Sequence, residues 1–434
     1  MTGPQPGVLL ELLELEVGAV AAGGSCVGRA PDGRVVFVRH CLPGERVRAR
    51  VTDRTAHFLR ADAVEVLSPS PDRVVPPCAY AGPGKCGGCD WQHVELGTQR
   101  RQKADLVQEQ LRRVARTEWP VVVEAVPGDD DGLHWRTRVQ FAVDGSGRTA
   151  LRKHRSHELQ RVEACLIASE DVERVGVEAL PWPGAREVEV AAEGEQRVVA
   201  VTGRAAQLPD VGAGVAVDGR PVRGPHGLRH TVLGRSYEVS VGGFWQVHRG
   251  AAEVLAAAVL EGLDPQPGES AVDLYAGVGL FAALVGERVG AQGSVLAVES
   301  DPRACADAAR NTADLPQVRI RTAEVDAAQV RRLGSPDLVV LDPPRSGAGI
   351  PTTRALADLR PRRLVHVSCD AASFARDLRV LLDAGWALEQ LRALDLYPMT
   401  EHVELVATFS PPLFAPAPSR RTAGRAHGGP SQRR

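Results

Sequence analysis

The chain has 434 residues, 44% hydrophobic and 24% charged, with a formal net charge of −2. At about 150 residues per domain, this length predicts two or three domains, each able to bury a core, and the composition is that of an ordinary soluble protein. The near-neutral balance announces no polyanion partner, and arginine so outnumbers lysine (only Lys85, Lys103 and Lys153) that arginine richness alone is weak evidence for nucleic acid. The start, Met1-Thr-Gly-Pro-Gln-Pro6, lacks a basic segment followed by an apolar run, and no stretch reaches the roughly 18 apolar residues of a membrane span. The expectation is a cytoplasmic protein with no membrane contact and no evident obligate protein partner. Eight cysteines in so long a chain do not make a secreted disulfide scaffold; in a reducing compartment, clustered thiols serve metals or catalysis more often.

Residues 1–67 read as a small β-barrel. Asp32-Gly33 before Val35-Val-Phe-Val38 is a hairpin signal, and Glu45-Arg-Val-Arg-Ala-Arg-Val51 alternates polar with apolar as a half-buried strand should. Short, regularly spaced strands without a helix predict a closed, OB-like barrel. Basic side chains recur at Arg29, Arg34, Arg39, His40, Arg46, Arg48, Arg50, Arg54 and Arg60. They form either a solvated face or an electrostatic RNA platform. In Val17-Gly-Ala-Val-Ala-Ala-Gly-Gly-Ser-Cys-Val-Gly28 and Leu42-Pro-Gly-Glu-Arg-Val47 the segment resembles the TRAM domain, an RNA-binding module of RNA-modifying enzymes.

A proline-rich junction, Ser68 to Pro77, opens a central α+β domain over 68–250. It carries Cys78, then Cys86-Gly-Gly-Cys89, then Cys165. The close pair lets two thiolates grip one ion or cluster, and the glycines let the backbone fold tightly around it. One such knuckle with two outlying cysteines suits an iron–sulfur cluster of the 4Fe–4S type better than a zinc ribbon, which pairs two knuckles; structural zinc and unliganded thiols are the alternatives. Cys26, Cys41 and Cys305 read as buried small hydrophobes. A basic helix is expected over Gln99 to Arg113 and strands over Arg136 to Val143 and Glu187 to Ala191, while Trp135-Arg-Thr-Arg138 and Leu151-Arg-Lys-His-Arg-Ser-His157 bring charge that could hold phosphates or simply be solvated.

From 251 to 412 helices and strands alternate, which predicts a mostly parallel, Rossmann-like sheet with ligands at the strand C-termini. Asp273, Glu299, Asp342 and Cys369 each end a strand pattern. Asp273-Leu-Tyr-Ala-Gly-Val-Gly279 has the form of an AdoMet-type glycine loop, but it also satisfies the looser dinucleotide fingerprint, with Glu299 at the distance of a ribose-binding acid. A nicotinamide-dependent oxidoreductase is therefore the rival from another class. Asp342-Pro-Pro-Arg345 argues against it, because such a fold has no need of a rigid Pro-Pro turn after its fourth strand. A thiol at a strand end beside a methyl donor suits C5 of uracil, since thiolate addition at C6 turns that inert carbon into a nucleophile. Residues 413–434, rich in proline, glycine and arginine, read as a disordered basic tail.

Phe244-Trp-Gln-Val-His248, the glycine loop, Asp342-Pro-Pro-Arg-Ser-Gly347, Val367-Ser-Cys-Asp370 and Tyr397-Pro-Met-Thr-Glu-His-Val-Glu404 occur in the order found in the RNA uracil-C5 methyltransferase family, and the resemblance runs from Val17 to about Phe409. It is nearest the 23S rRNA branch, which carries TRAM and iron–sulfur elements, with the tRNA branch as the alternative. The resemblance implies methyl transfer from AdoMet to uridine in RNA, rRNA ahead of tRNA, with Cys369 as nucleophile and Glu404 as base. Gln246, Tyr275, Gly277 and Gly279 would hold the cofactor, Glu299 its ribose, and Asp342 the space between cofactor and base; Cys78, Cys86, Cys89 and Cys165 would bind the cluster. The chain departs from the family in the seven residues between Cys78 and Cys86 and at His248 and Met399. Glu401 competes with Glu404, Asp342 could be a turn former before Pro-Pro, Gln246 could be structural, and a non-enzymatic RNA-binding protein is the reading left if AdoMet does not bind.

Overall fold

The computed structural model describes residues 11–205 and 207–412; the tail expected over 413–434 lies outside the described residues. Six strands form the N-terminal sheet in the order Leu12–Glu16, Arg46–Arg54, Phe58–Ser68, Val35–Arg39, Ser25–Arg29, Val20–Ala21. Every second side chain points inward, so Leu13, Leu15, Val36, Val38, Val47 and Leu59 share one core. The sheet curls shut where Gly18 N–H donates to Val27 O at 2.8 Å and Val17 N–H to Glu45 O at 2.9 Å.

The expected arginine platform is largely neutralised by its own barrel. Arg46 pairs with Glu14, Arg48 with Glu65 and Arg54 with Glu11, while Arg34 meets Asp32 at 2.6 Å. His40 does not belong among the cations: burial, with Arg39 behind it, holds its pKa at about 2.

The central segment forms a seven-stranded sheet ordered Leu159–Gln160, Thr149–Arg152, Arg138–Val143, Ala185–Glu193, Gln196–Gly203, Gly214–Val217, Arg220–Arg223, followed by the separate hairpin Gly227–Val232 and Arg235–Ser240. The C-terminal sheet runs Val318–Thr322, Ser294–Glu299, Ser270–Leu274, Leu338–Leu341, Arg363–Ser368, Glu404–Ser410, Ala387–Asp395, Val123–Ala125. Its first five strands are parallel, and Glu404–Ser410 enters antiparallel between Arg363–Ser368 and Ala387–Asp395. A doubly wound dinucleotide sheet continues in parallel through its sixth strand. The single reversed strand, Glu404–Ser410, separates this sheet from that of the oxidoreductase. Among the described residues, no helix is long and apolar enough to cross a membrane.

The boundary expected at residue 250 is crossed. Helix Leu96–Gln110 and strand Val123–Ala125 pack on the C-terminal sheet, with Val107, Leu111 and Val123 in one core with Leu274, Leu341 and Phe374. The helix expected to be basic turns its lysine inward: fully buried Lys103 donates to Asp395 Oδ1 at 2.6 Å and to Tyr397 O at 2.9 Å, and Arg100 Nε reaches Asp395 Oδ2 at 3.0 Å. Removing one partner of a buried ion pair leaves a charge without adequate compensation. Lys103→Met is therefore expected to cost about 3 kcal/mol of stability, read as a lowered midpoint in denaturant. A midpoint equal to wild type would show that Arg100 alone suffices for Asp395.

Candidate active site

The alternation of strand and helix brings the strand-end residues to one edge of the C-terminal sheet. After Ser270–Leu274 the chain turns through Tyr275 (φ 63°), Gly277 (φ 54°) and Gly279 (φ 86°) into helix Leu280–Val289. A bulky residue with positive φ is strained, and its neighbours hold it there: Tyr275 hydroxyl donates to Val325 O at 3.4 Å. Asp273 secures the following helix, its Oδ2 accepting from Ala282 N at 2.9 Å. Glu299 ties the neighbouring strand end to the glycine loop, accepting from Gly277 N at 3.0 Å and Asp301 N at 2.8 Å.

These turns surround a cavity of about 800 Å³ whose wall includes Gln246, Tyr275, Gly277, Glu299, Asp342, Cys369 and Glu404. Gly279 is not on that wall. A Cβ there would sit 3.3 Å from the Ala308 side chain, so the residue permits the left-handed turn and close packing on helix Pro302–Asn311 instead of touching a ligand. At Gly277 a Cβ would meet nothing within 4 Å, which leaves bare backbone on the wall.

Cys369 follows strand Arg363–Ser368 directly, and Asp370 caps the next helix by accepting from Ser373 N at 2.7 Å. Burial, then the charge of Glu404, pushes the Cys369 thiol up to about 11, while Arg345 opposes. Burial alone lifts Asp342 to about 7. Glu404 is almost fully buried; burial and Asp342 raise it well above the carboxylate range, against a hydrogen bond from Tyr397 hydroxyl to Oε2 at 3.2 Å and the charge of Arg345. Three titratable groups with displaced pKa values in one cavity mark a functional site.

Glu401 points elsewhere. Its side chain packs against Gly24 of the barrel, where a Cβ would come within 3.0 Å of Glu401 Cβ, and its Oε1 lies 3.8 Å from His402 Nδ1. Sequence reasoning passed over Asp90, Arg345, Tyr397 and His402 as site residues, although all four line the cavity. The signal for three of them was present, since they lie within the quoted motifs; only packing brings Asp90 to the wall.

Residues 11–64 match the TRAM domain family model. The chain is 49% identical over 428 residues to an uncharacterized RNA methyltransferase of Streptomyces coelicolor, covering 92% of this chain and 93% of that one. It is 33% identical over 427 residues to the 23S rRNA (uracil(1939)-C(5))-methyltransferase RlmD of Chromohalobacter salexigens, covering 90% of this chain and 87% of the relative. The chain belongs to the RNA uracil-C5 methyltransferase family. The fold agrees: the Pyrococcus abyssi tRNA (uracil-54, C5)-methyltransferase, solved with S-adenosyl-L-homocysteine, superposes with a TM-score of 0.69 at 23% identity over 92% of this chain and 99% of that one.

A family methyltransferase of this build has four further cysteines to account for. Burial pushes the Cys89 thiol up, with Cys165, Cys86 and Cys78 among the like charges acting on it. Burial also lifts Cys165 to about 11. The loop around them is tight: a Cβ at Gly87 would lie 2.4 Å from His154 N, and Gly88 N donates to Cys86 Sγ at 3.4 Å. The four thiols thus share one neighbourhood. Even so, among the described residues no three Cys, His, Asp or Glu side chains stand around a common point as metal ligands. The expected coordination of one iron–sulfur cluster by Cys78, Cys86, Cys89 and Cys165 is therefore not shown. Cys26, Cys41 and Cys305 are buried, as expected of small hydrophobes.

Proposed function

We propose that the protein methylates C5 of a uridine in RNA, with 23S rRNA ahead of tRNA as substrate, and that Cys369 and Glu404 carry the chemistry. The observation behind this reading is the convergence of a thiol, the Asp342 and Glu404 carboxyls and the glycine loop on one cavity. Glu299, Glu324 and Asp342 on its wall complement a cationic ligand, and bare backbone at Gly277 allows close approach, so the residues suit AdoMet. When bound, AdoMet supplies an electrophilic methyl group on a sulfonium.

The chain's own residues do the rest. Cys369 must first lose its proton; Asp342, on the same cavity wall and with a pKa of about 7, is the acceptor in this proposal, and Arg345 favours the thiolate. The Cys369 Sγ–C6 bond then forms as the C5–C6 π pair moves into an enolate, which makes C5 the nucleophile. Once C5 carries the methyl group, Glu404, whose raised pKa requires that it first release its own proton to solvent, takes the C5 proton as a carboxylate. The freed electron pair restores C5=C6 as the sulfur–C6 bond breaks.

Methyl transfer to unmodified rRNA and tRNA, separated and then mapped by nucleoside, is the direct test. 5-Methyluridine in rRNA is expected. Product confined to tRNA would replace the substrate, and no product with either RNA would overturn the enzyme. Turnover should fall as pH drops through about 7, because protonated Asp342 can no longer accept a proton. A flat profile from roughly pH 6 to 8 would take Asp342 out of this role.

The donor chemistry of Cys78, Cys86, Cys89 and Cys165 supports a structural 4Fe–4S cluster as part of the same proposal. Protein purified without oxygen should be brown, with iron and labile sulfide, and Cys86→Ser should lose the colour and melt earlier. Stoichiometric zinc, or no metal at all, after anaerobic purification would overturn the cluster.

A further inference from the structure

Strands Val35–Arg39 and Phe58–Ser68 run parallel with Phe37 opposite Arg60 and Arg39 opposite Asp62. Val36, Val38, Leu59 and Ala61 fill the barrel core, which leaves Phe37, Arg39, Phe58 and Arg60 on the outer face. There the Phe37 and Phe58 rings meet edge to face at 5.5 Å, and the Arg60 guanidinium lies 5.2 Å from the Phe58 centroid and 5.9 Å from that of Phe37. All three side chains are partly exposed, and Arg60 has no acidic partner among the described residues. The barrel core does not require two aromatic rings outside it, and an aromatic pair capped by a guanidinium is a surface on which a nucleobase stacks.

This surface leads to the cavity. One pleat repeat along the strand, about 6.8 Å, separates Phe37 from Arg39, whose guanidinium meets Asp62 Oδ1 at 3.7 Å and Asp90 Oδ1 at 3.2 Å. Asp90 is on the cavity wall. A second groove of about 710 Å³, lined by Arg136, Arg152, Lys153, His154 and Arg155, shares Gly87, Gly88 and Arg136 with the cavity. In it Arg152 is paired with Glu187 at 3.0 Å and Lys153 with Glu158 at 2.9 Å, whereas Arg136 and Arg155 have no acidic partner among the described residues. Arg155 also reaches the barrel, its Nη2 lying 3.9 Å from where a Cβ on Gly23 would be.

We propose that Phe37, Phe58 and Arg60 form a stacking subsite for an unpaired base close in sequence to the methylated uridine, with the intervening phosphates passing over Arg155 and Arg136. The inference rests on the RNA-uridine reading above, and it moves the barrel's contact from its arginine-rich strand, where Arg46, Arg48 and Arg54 are already paired, to this aromatic face. Because every base presents a π face, the subsite contributes affinity and positioning with little sequence preference.

The test is binding of an unmodified 23S rRNA transcript, measured at two salt concentrations, by wild type and by Phe37→Leu/Phe58→Leu, which keeps apolar bulk and removes the ring faces. Loss of a stacked base should raise the apparent Kd about 5- to 150-fold. The salt slope should not change, since no phosphate contact is lost. Arg46→Gln/Arg48→Gln, whose charges are already taken up by Glu14 and Glu65, should bind as wild type does. An unchanged Kd in the phenylalanine variant, or a weaker Kd with a shallower salt slope, would overturn the subsite. If the double variant melts early, Phe58→Leu alone carries the same comparison. Wild-type protein that binds the transcript and methylates no RNA would sink the uridine reading instead, and the binding comparison would be unaffected.

Discussion

Cys369→Ala is expected to lower methyl transfer at least about a thousandfold while AdoMet binds as in wild type. In the proposed mechanism the thiol acts on C6 of the base and takes no part in holding the cofactor, whose expected contacts lie on Gln246, Tyr275, Gly277 and Glu299. Its neighbours Val367 and Phe374 supply the packing of that strand and helix, so the exchange removes chemistry and leaves the fold. Single-turnover methylation and calorimetric titration with AdoMet read the two effects separately. Residual transfer within about tenfold of wild type, a barrier difference of only about 1.4 kcal/mol, would take the thiol out of the mechanism. Loss of AdoMet binding would assign Cys369 to the cofactor.

Glu404→Gln should stop the reaction later. The amide is isosteric and its oxygen can still accept from Tyr397 hydroxyl, which Glu404 Oε2 meets at 3.2 Å, so the site keeps its shape while losing a proton acceptor. Turnover should fall by about 10²- to 10⁴-fold. With methyl transferred and the C5 proton retained, Cys369 cannot leave, and a covalent protein–RNA species should accumulate on denaturing gels and vanish in Glu404→Gln/Cys369→Ala. Turnover lost without an adduct would place Glu404 before methyl transfer. The same variant of Glu401 should turn over normally, since that side chain faces Gly24 and not the cavity.

Much of this site could be read from the chain before any packing was known. Asp273, Glu299, Asp342 and Cys369 close strand patterns, and a parallel sheet must present such residues at one edge. The glycine loop, the Pro-Pro turn and the alternation over 45–51 are local signals, written by residues a few positions apart. The closing antiparallel pair Ala387–Asp395 and Glu404–Ser410 was not anticipated as strands, because both faces are partly or wholly covered and no alternation shows.

Charge behaved differently. Arginines that look like an RNA platform in sequence are paired with Glu11, Glu14 and Glu65, and a helix that looks basic buries Lys103 against Asp395. Asp90 on the cavity wall is held by Arg39 of the barrel, and Gly279, off the wall, packs on helix Pro302–Asn311. The sequence by itself determined the order of the elements, the strand-end chemistry and the thiol–carboxylate set. The tertiary structure alone decided which of two glutamates lines the cavity, which cations among the described residues stay unpaired and where segment 96–125 belongs, because each depends on partners distant in the chain whose approach no local pattern encodes.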